Sequence, residues 1–204
     1  PATNTWTIKG NLNYARRSLM AAAVNNKIYV IGGADFDSTF SSNEEYDPST
    51  NSIVIKTRMP TKREAGIAAV VNNKIYVIGG FGYGNYFYGN NQVYDPTTNI
   101  WTNKTDIPYE TDRSAAAVIN DRIYIIGGEI DMTTSTVHEA YDPITDSWAQ
   151  KLDILSPRDR LTAAAVNGKI YIFGGYLYAN PTPAILDNTE VYSPPAVYYV
   201  HCKN

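Results

Sequence analysis

The chain has 204 residues, 44% hydrophobic and 18% charged, with a formal net charge of −3. That balance can bury a core, no apolar run is long enough for a membrane-spanning helix, and no basic run exceeds Arg16-Arg17, so nucleic-acid binding lacks its electrostatic footprint. The single cysteine, Cys202, excludes an internal disulfide framework and a cysteine-based zinc cluster.

The chain opens on Pro1-Ala2-Thr3-Asn4-Thr5-Trp6, which matches Pro96-Thr97-Thr98-Asn99-Ile100-Trp101 further on. This predicts an outer strand over 3–9. The first full unit follows at about 16–57. An alanine-rich segment, Leu19 to Asn25, reads as strand A despite the low strand propensity of alanine. A crowded axis that admits only small side chains explains that composition. Asn25-Asn26 is a two-residue hairpin signal, because Asn tolerates positive φ. Strand B runs from Lys27 to Gly33, strand C from Asn43 to Asp47, and strand D from Ser52 to Thr57. The intervening Asp47-Pro48 has the residue types that a type I turn favours.

The same order returns three more times, at about 63–104, 111–151 and 158–193, followed by a tail over 194–204. Lys27-Ile28-Tyr29-Val30-Ile31-Gly32-Gly33 recurs as Lys74 to Gly80, Arg122 to Gly128 and Lys169 to Gly175. The glycine pairs lie 47, 48 and 47 residues apart, a period expected of a propeller blade. Tyr46, Tyr94, Tyr141 and Tyr192 keep the same beat, and Trp101 and Trp148 each follow seven residues after the tyrosine. The prediction is an all-β chain, one domain over 1–204, built from four blades of four antiparallel strands. The strand near Thr5 to Ile8 is expected to complete the blade of residues 158–193 and close the ring. The alternatives are a broken larger ring, completed by a second copy, and an outer strand supplied by Ala196 to Val200.

An apolar strand, a double glycine and a spaced Tyr and Trp together resemble the kelch motif, four times over nearly the whole chain. The resemblance implies a β-propeller that binds protein or peptide segments.

Alternation of strand direction puts the A–B and C–D turns on one side of the disc and the longer B–C and D–A loops on the other. The candidate ligand surface is the second side. Its B–C loops offer Asp35, Phe36 and Asp37, then Phe81, Tyr83, Tyr86 and Tyr88, then Glu129 and Asp131, then Tyr176 and Tyr178. Its D–A loops offer Arg16, Arg63 and Arg158 at one repeat position and Arg113 and Arg160 at another. Arg158-Asp159-Arg160 resembles the strand A entry of kelch proteins that bind acidic peptides, which implies an arginine-lined channel mouth. The competing reading pairs the arginines with Glu44, Glu139 and Glu190, with Gln92 as the fourth member of that position. The aromatic loops read either as self-packed covers or as stacking platforms for a sugar. Asp35, Asp37, Glu129 and Asp131 form a weak candidate calcium set.

Kelch propellers include copper oxidases and sugar mutarotases, but the two histidines, His138 and His201, are poorly placed for a copper cluster or a nucleophile–base pair. The expected function is therefore a non-enzymatic binding module without a cofactor, acting on a protein or peptide segment. A carbohydrate-binding domain of a bacterial surface or secreted protein is the alternative. With Pro1 in place of Met and no signal-type segment, the chain reads as a mature or excised piece of something longer. It is expected to be a monomer or a self-assembling fragment.

Overall fold

The computed structural model describes residues 4–82, 84, 86–179 and 182–195. Blade 1 holds β1 (Met20–Val24), β2 (Lys27–Ile31), β3 (Asn43–Asp47) and β4 (Ser52–Ile55) in that spatial order. Blade 2 is β5 (Ile67–Val71) and β6 (Lys74–Ile78), a short ribbon β7 (Phe81–Gly82) and β8 (Tyr86–Phe87), then β9 (Asn91–Asp95) and β10 (Ile100–Lys104). Blade 3 repeats this with β11 (Ala115–Ile119), β12 (Arg122–Ile126), the ribbon β13 (Glu129–Ile130) and β14 (Thr133–Thr134), β15 (His138–Asp142) and β16 (Ser147–Gln150). Blade 4 has β17 (Thr162–Val166) and β18 (Lys169–Phe173), the ribbon β19 (Tyr176–Leu177) and β20 (Ala184–Ile185), and β21 (Thr189–Tyr192). All pairings are antiparallel, and the fold is a four-bladed β-propeller arrangement.

The turn chemistry acts as its residues dictate. Asn25 and Asn26, Asn72 and Asn73, Asn120 and Asp121, and Asn167 and Gly168 all take positive φ, which two-residue hairpins on twisted strands require. The alanine strands are the innermost ones, and they pack in sequence, β1 on β5, β5 on β11, β11 on β17. Alternate residues of each blade face its two neighbours. Ile67, Ala69, Val71, Tyr76, Ile78 and Val93 of blade 2 thus bury against Ile123, Ile125 and Tyr141 of blade 3.

Blades are also stitched by backbone. The Ala65 N–H donates to the Ser18 carbonyl at 2.9 Å, Arg113 to Ala65 at 3.2 Å, and Arg160 to Arg113 at 2.9 Å, a belt that runs from blade 1 to blade 4. The double glycines make a second seam. Gly33, Gly80 and Gly128 donate to the carbonyls of Arg63, Thr111 and Arg158 in the following blade at 2.8–2.9 Å. The backbone before each must pass so close that a Cβ on Gly79 would lie 2.6 Å from the Thr111 oxygen, at φ +64°.

The expected closing strand is not formed. Residues 4–12 carry no strand, the fourth blade has three strands among the described residues, and Trp6 and Ile8 are fully exposed. No packing comparable to that of β1 on β5 joins β17 to β1. The physical reason is that blade 4 does not pack on blade 1, so segment 4–10 keeps its contact with blade 1 but meets no edge of blade 4. Its Gly10 N–H donates to Asn51 Oδ1 at 3.2 Å, as Thr57 donates to Asn99 and Thr105 to Asp146. The alternative outer strand, Ala196 to Val200, lies outside the described residues.

Candidate functional site

The B–C and D–A loops of blades 2, 3 and 4 surround a recess of about 1200 Å³. Each D–A loop pairs by a backbone bridge with the residue just after a double glycine: Glu64 with Phe81, Asp112 with Glu129, Asp159 with Tyr176. These bridges bring the variable loop tops beside the belt residues Arg113 and Arg160. Both arginines have positive φ, as do Ser18 and Ala65 at the same place, so that conformation belongs to the belt rather than to any one blade.

The guanidinium of Arg113 stands 6.0 Å over the Phe81 ring and that of Arg160 5.6 Å over the Tyr176 ring. Arg113 also pairs closely with Glu129, and Arg160 lies 2.8 Å from Asp159. Phe87, Asp131, Met132, Tyr178 and Ile185 complete the rim. The recess is therefore zwitterionic, with aromatic walls.

Asp112, next to the lining residue Arg113, has a fully buried side chain. Arg113 Nη1 is 3.3 Å from its Oδ2, yet neither carboxylate oxygen accepts a hydrogen bond from the protein. Burial pushes its carboxyl up to about 7, and the Glu129 and Asp159 charges add to the rise while Arg113 opposes it. Burial raises Asp159 as well, reinforced by Glu129 and opposed by Arg160.

Other expected site residues lie elsewhere. Arg16, Arg63 and Arg158 do not line the mouth. Their side chains are buried braces within their own blades. Arg16 Nη1 meets Glu44 at 2.7 Å, and Arg158 Nη2 meets Glu190 at 2.6 Å. Arg63 bonds the Gly79 carbonyl at 2.9 Å, the Asn90 carbonyl at 3.0 Å, and Gln92. The reason is position: the residue two before each belt residue points down into the sheet, whereas the belt residue points into the mouth. Tyr88 covers Arg63 at 5.8 Å, and neither it nor Tyr86 reaches the recess.

Asp35 folds back on its own loop, accepting from the Asp37 and Ser38 amides at 2.9 and 2.8 Å. Asp35 and Asp37 sit on blade 1 and Glu129 and Asp131 on blade 3, and among the described residues no cluster of carboxylates, His or Cys is arranged for a metal. Tyr83 lies outside the described residues. His138 is buried, its Nδ1 3.1 Å from the Leu152 carbonyl oxygen, and desolvation lowers its pKa.

Sequence reasoning missed Asp112 and Asp159. The available signal was their shared repeat position, one before the belt arginines, where Arg17 and Glu64 stand in the other blades. It missed Met132 and Ile185 because nothing in loops of unequal length says which side chains turn inward.

Four antiparallel blades around an axis, seamed by double glycines and bearing a loop-built recess on one side, define a propeller of the interaction-module class. The model of the KLHDC2/KLHL20/DRC7 Kelch-repeats domain matches residues 2–175, and that of the Kelch motif matches residues 157–195. The chain belongs to the kelch-repeat family. No curated protein matches it. A solved structure titled "Structure of YjhT" is 21% identical, with a TM-score of 0.78 over 85% of this chain, and so shares the fold. The chain spans 64% of that structure's chain.

Proposed function

We propose that this propeller is a non-catalytic binding module that takes a segment of a partner protein into the recess of blades 2 to 4. The observation that carries the reading is the contrast among the arginines. Three are sealed in the blades, while Arg113 and Arg160 keep accessible side chains stacked on Phe81 and Tyr176. Each is already paired with a carboxylate, so an incoming acidic side chain must exchange with Glu129 or Asp159. The favoured segment therefore carries an acid beside an apolar or aromatic residue. The acid takes a guanidinium, and its neighbour lies against Phe87, Met132 or Ile185. Such exchange of ion pairs at a wet rim weakens as salt rises.

The test is a display screen of acidic peptides on the folded protein, followed by affinity measurement for R113A, R160A and the double variant. Loss of binding in the double variant, with the fold retained by circular dichroism, is the expected result. Ligands that bind the double variant as tightly as the parent would refute this site. A sugar ligand is the second reading, favoured by exposed Tyr178 beside Tyr176 and Asp131 on the same rim. A glycan array separates the two, because neutral sugars should bind with little dependence on salt.

A further inference from the structure

We propose that blade 3 binds a monovalent cation, sodium or potassium, at the place where blades 2 and 4 hold the guanidinium of a brace arginine, with Glu139 as its carboxylate ligand. This inference is independent of the recess.

The second residue of each strand C is polar and turns into its blade: Glu44, Gln92, Glu139 and Glu190. Blades 1 and 4 give the carboxylate two partners, a guanidinium and a backbone N–H. Arg16 meets Glu44 at 2.7 Å, and the Asn13 N–H donates to it at 2.9 Å. Arg158 meets Glu190 at 2.6 Å, and the Leu155 N–H donates to it at 2.7 Å. In blade 2 the place of that N–H falls to Pro60, which has none. There the acid is replaced by neutral Gln92, which Arg63 still reaches.

Blade 3 loses both partners and keeps the acid. Pro108 stands where the N–H would be, and Thr111 stands where the arginine would be. The Thr111 hydroxyl turns to that of Ser114, at 2.9 Å. Glu139 is 6% exposed, and its Oε2 meets no hydrogen-bond donor. Its direction is set by register: it lies opposite Ile125, as Gln92 lies opposite Val77 and Glu190 opposite Ile172. A buried carboxylate so placed is costly until something positive joins it.

The backbone around this position already accepts positive charge in the other blades. Arg63 Nη1 donates to the Gly79 and Asn90 carbonyls at 2.9 and 3.0 Å, and Arg158 Nη1 to those of Gly174 and Asn188 at 2.9 and 3.5 Å. Blade 3 has the same cup. The Gly127 N–H donates to the Val137 carbonyl at 2.8 Å, as Gly79 does to Asn90 at 3.1 Å and Gly174 to Asn188 at 3.3 Å. The Gly127 and Val137 carbonyls therefore stand where a guanidinium finds its acceptors. The buried Tyr109 hydroxyl, also without a partner, adds a fourth oxygen. Burial raises its pKa and the Glu139 charge adds to the rise, so the two groups share one local field.

Oxygens such as these can replace the hydration shell of an alkali ion. One carboxylate balances one positive charge, whereas calcium gathers several, and among the described residues no such cluster exists. The competing occupant is a proton. Burial raises the Glu139 carboxyl, Lys151 opposes the rise and Asp153 adds to it.

The test is thermal unfolding of the full chain at neutral pH in sodium, potassium or tetramethylammonium chloride, each at about 0.15 M. The organic cation screens charge equally but is too large to enter. Tm should be about 2–4 °C higher in at least one alkali salt. Glu139→Gln gives blade 3 the side chain that blade 2 carries beside Pro60, and it should abolish that difference. Thr111→Arg should abolish it too, because its own guanidinium takes the place. Crystals soaked in thallium(I), a heavy substitute for potassium, should show an anomalous peak beside Glu139 Oε2. Equal Tm in all three salts would mean that a proton holds Glu139 and would overturn the proposal. So would a salt difference that survives in E139Q, or thallium bound only outside blade 3.

Discussion

Arg158 holds Glu190 at 2.6 Å inside blade 4, and in blade 3 the same two positions are Thr111 and Glu139, which cannot pair in that way. Glu139 is left buried with Oε2 lacking a hydrogen-bond partner, the nearby Tyr109 hydroxyl also lacks one, and burial raises the Glu139 pKa. Thr111→Arg should restore the brace and stabilise the protein by about 1–2 kcal/mol, the range of a charge-assisted bond net of desolvation. Urea unfolding measures it. A destabilised variant would mean that the blade 3 interior cannot admit the longer side chain.

The brace and mouth arginines should separate in stability. Arg158→Ala strands the Glu190 carboxylate and should cost about 3–5 kcal/mol. Arg160→Ala leaves the buried Asp159 without its cation, but the Arg160 head is itself half-exposed and burial already favours the neutral Asp159 carboxyl, so the cost should be smaller, about 1–2 kcal/mol. Thermal and urea unfolding of the two variants side by side is the check.

Asp112 should make stability fall as pH rises. Its carboxyl ionises near the ordinary carboxylate value when unfolded but only at about 7 when folded. Between those values the native state binds the extra proton, so each step up in pH favours unfolding. Asp112→Asn should flatten the stability profile from about pH 4 to pH 7 and raise stability at neutral pH. Urea midpoints across that range test this, and an unchanged slope would show that Asp112 is not the titrating group.

Two glycines with the same backbone sign should respond differently. Gly168→Ala places its Cβ in open space at φ +70°, so only the left-handed conformation is strained, at about 1–2 kcal/mol. Gly79→Ala carries that strain and also meets the Thr111 carbonyl at 2.6 Å. It should cost clearly more than the Gly168 change and open the seam between blades 2 and 3, which amide exchange at Gly80 would report.

Blade count, strand order and turn type were legible because they rest on local chemistry repeated four times. Paired Asn residues can form few other two-residue turns, and alanine in a strand implies a crowded axis. The identity of the mouth arginines was not legible. Arg158 and Arg160 are two residues apart in one loop, and strand periodicity alone would give them the same side. The positive φ of Arg160 breaks that periodicity and sends one guanidinium down to Glu190 and the other out over Tyr176.

Closure follows the same division. The match of segment 4–10 to the outer strands is a property of the sequence, since it needs only the spacing of Asn and Trp. Which sheet edge that strand serves is a property of tertiary structure. Gly10 is anchored to Asn51 on blade 1, so the strand cannot also choose its distance from blade 4. The curvature set by the blade-to-blade packing decides how far away that edge lies.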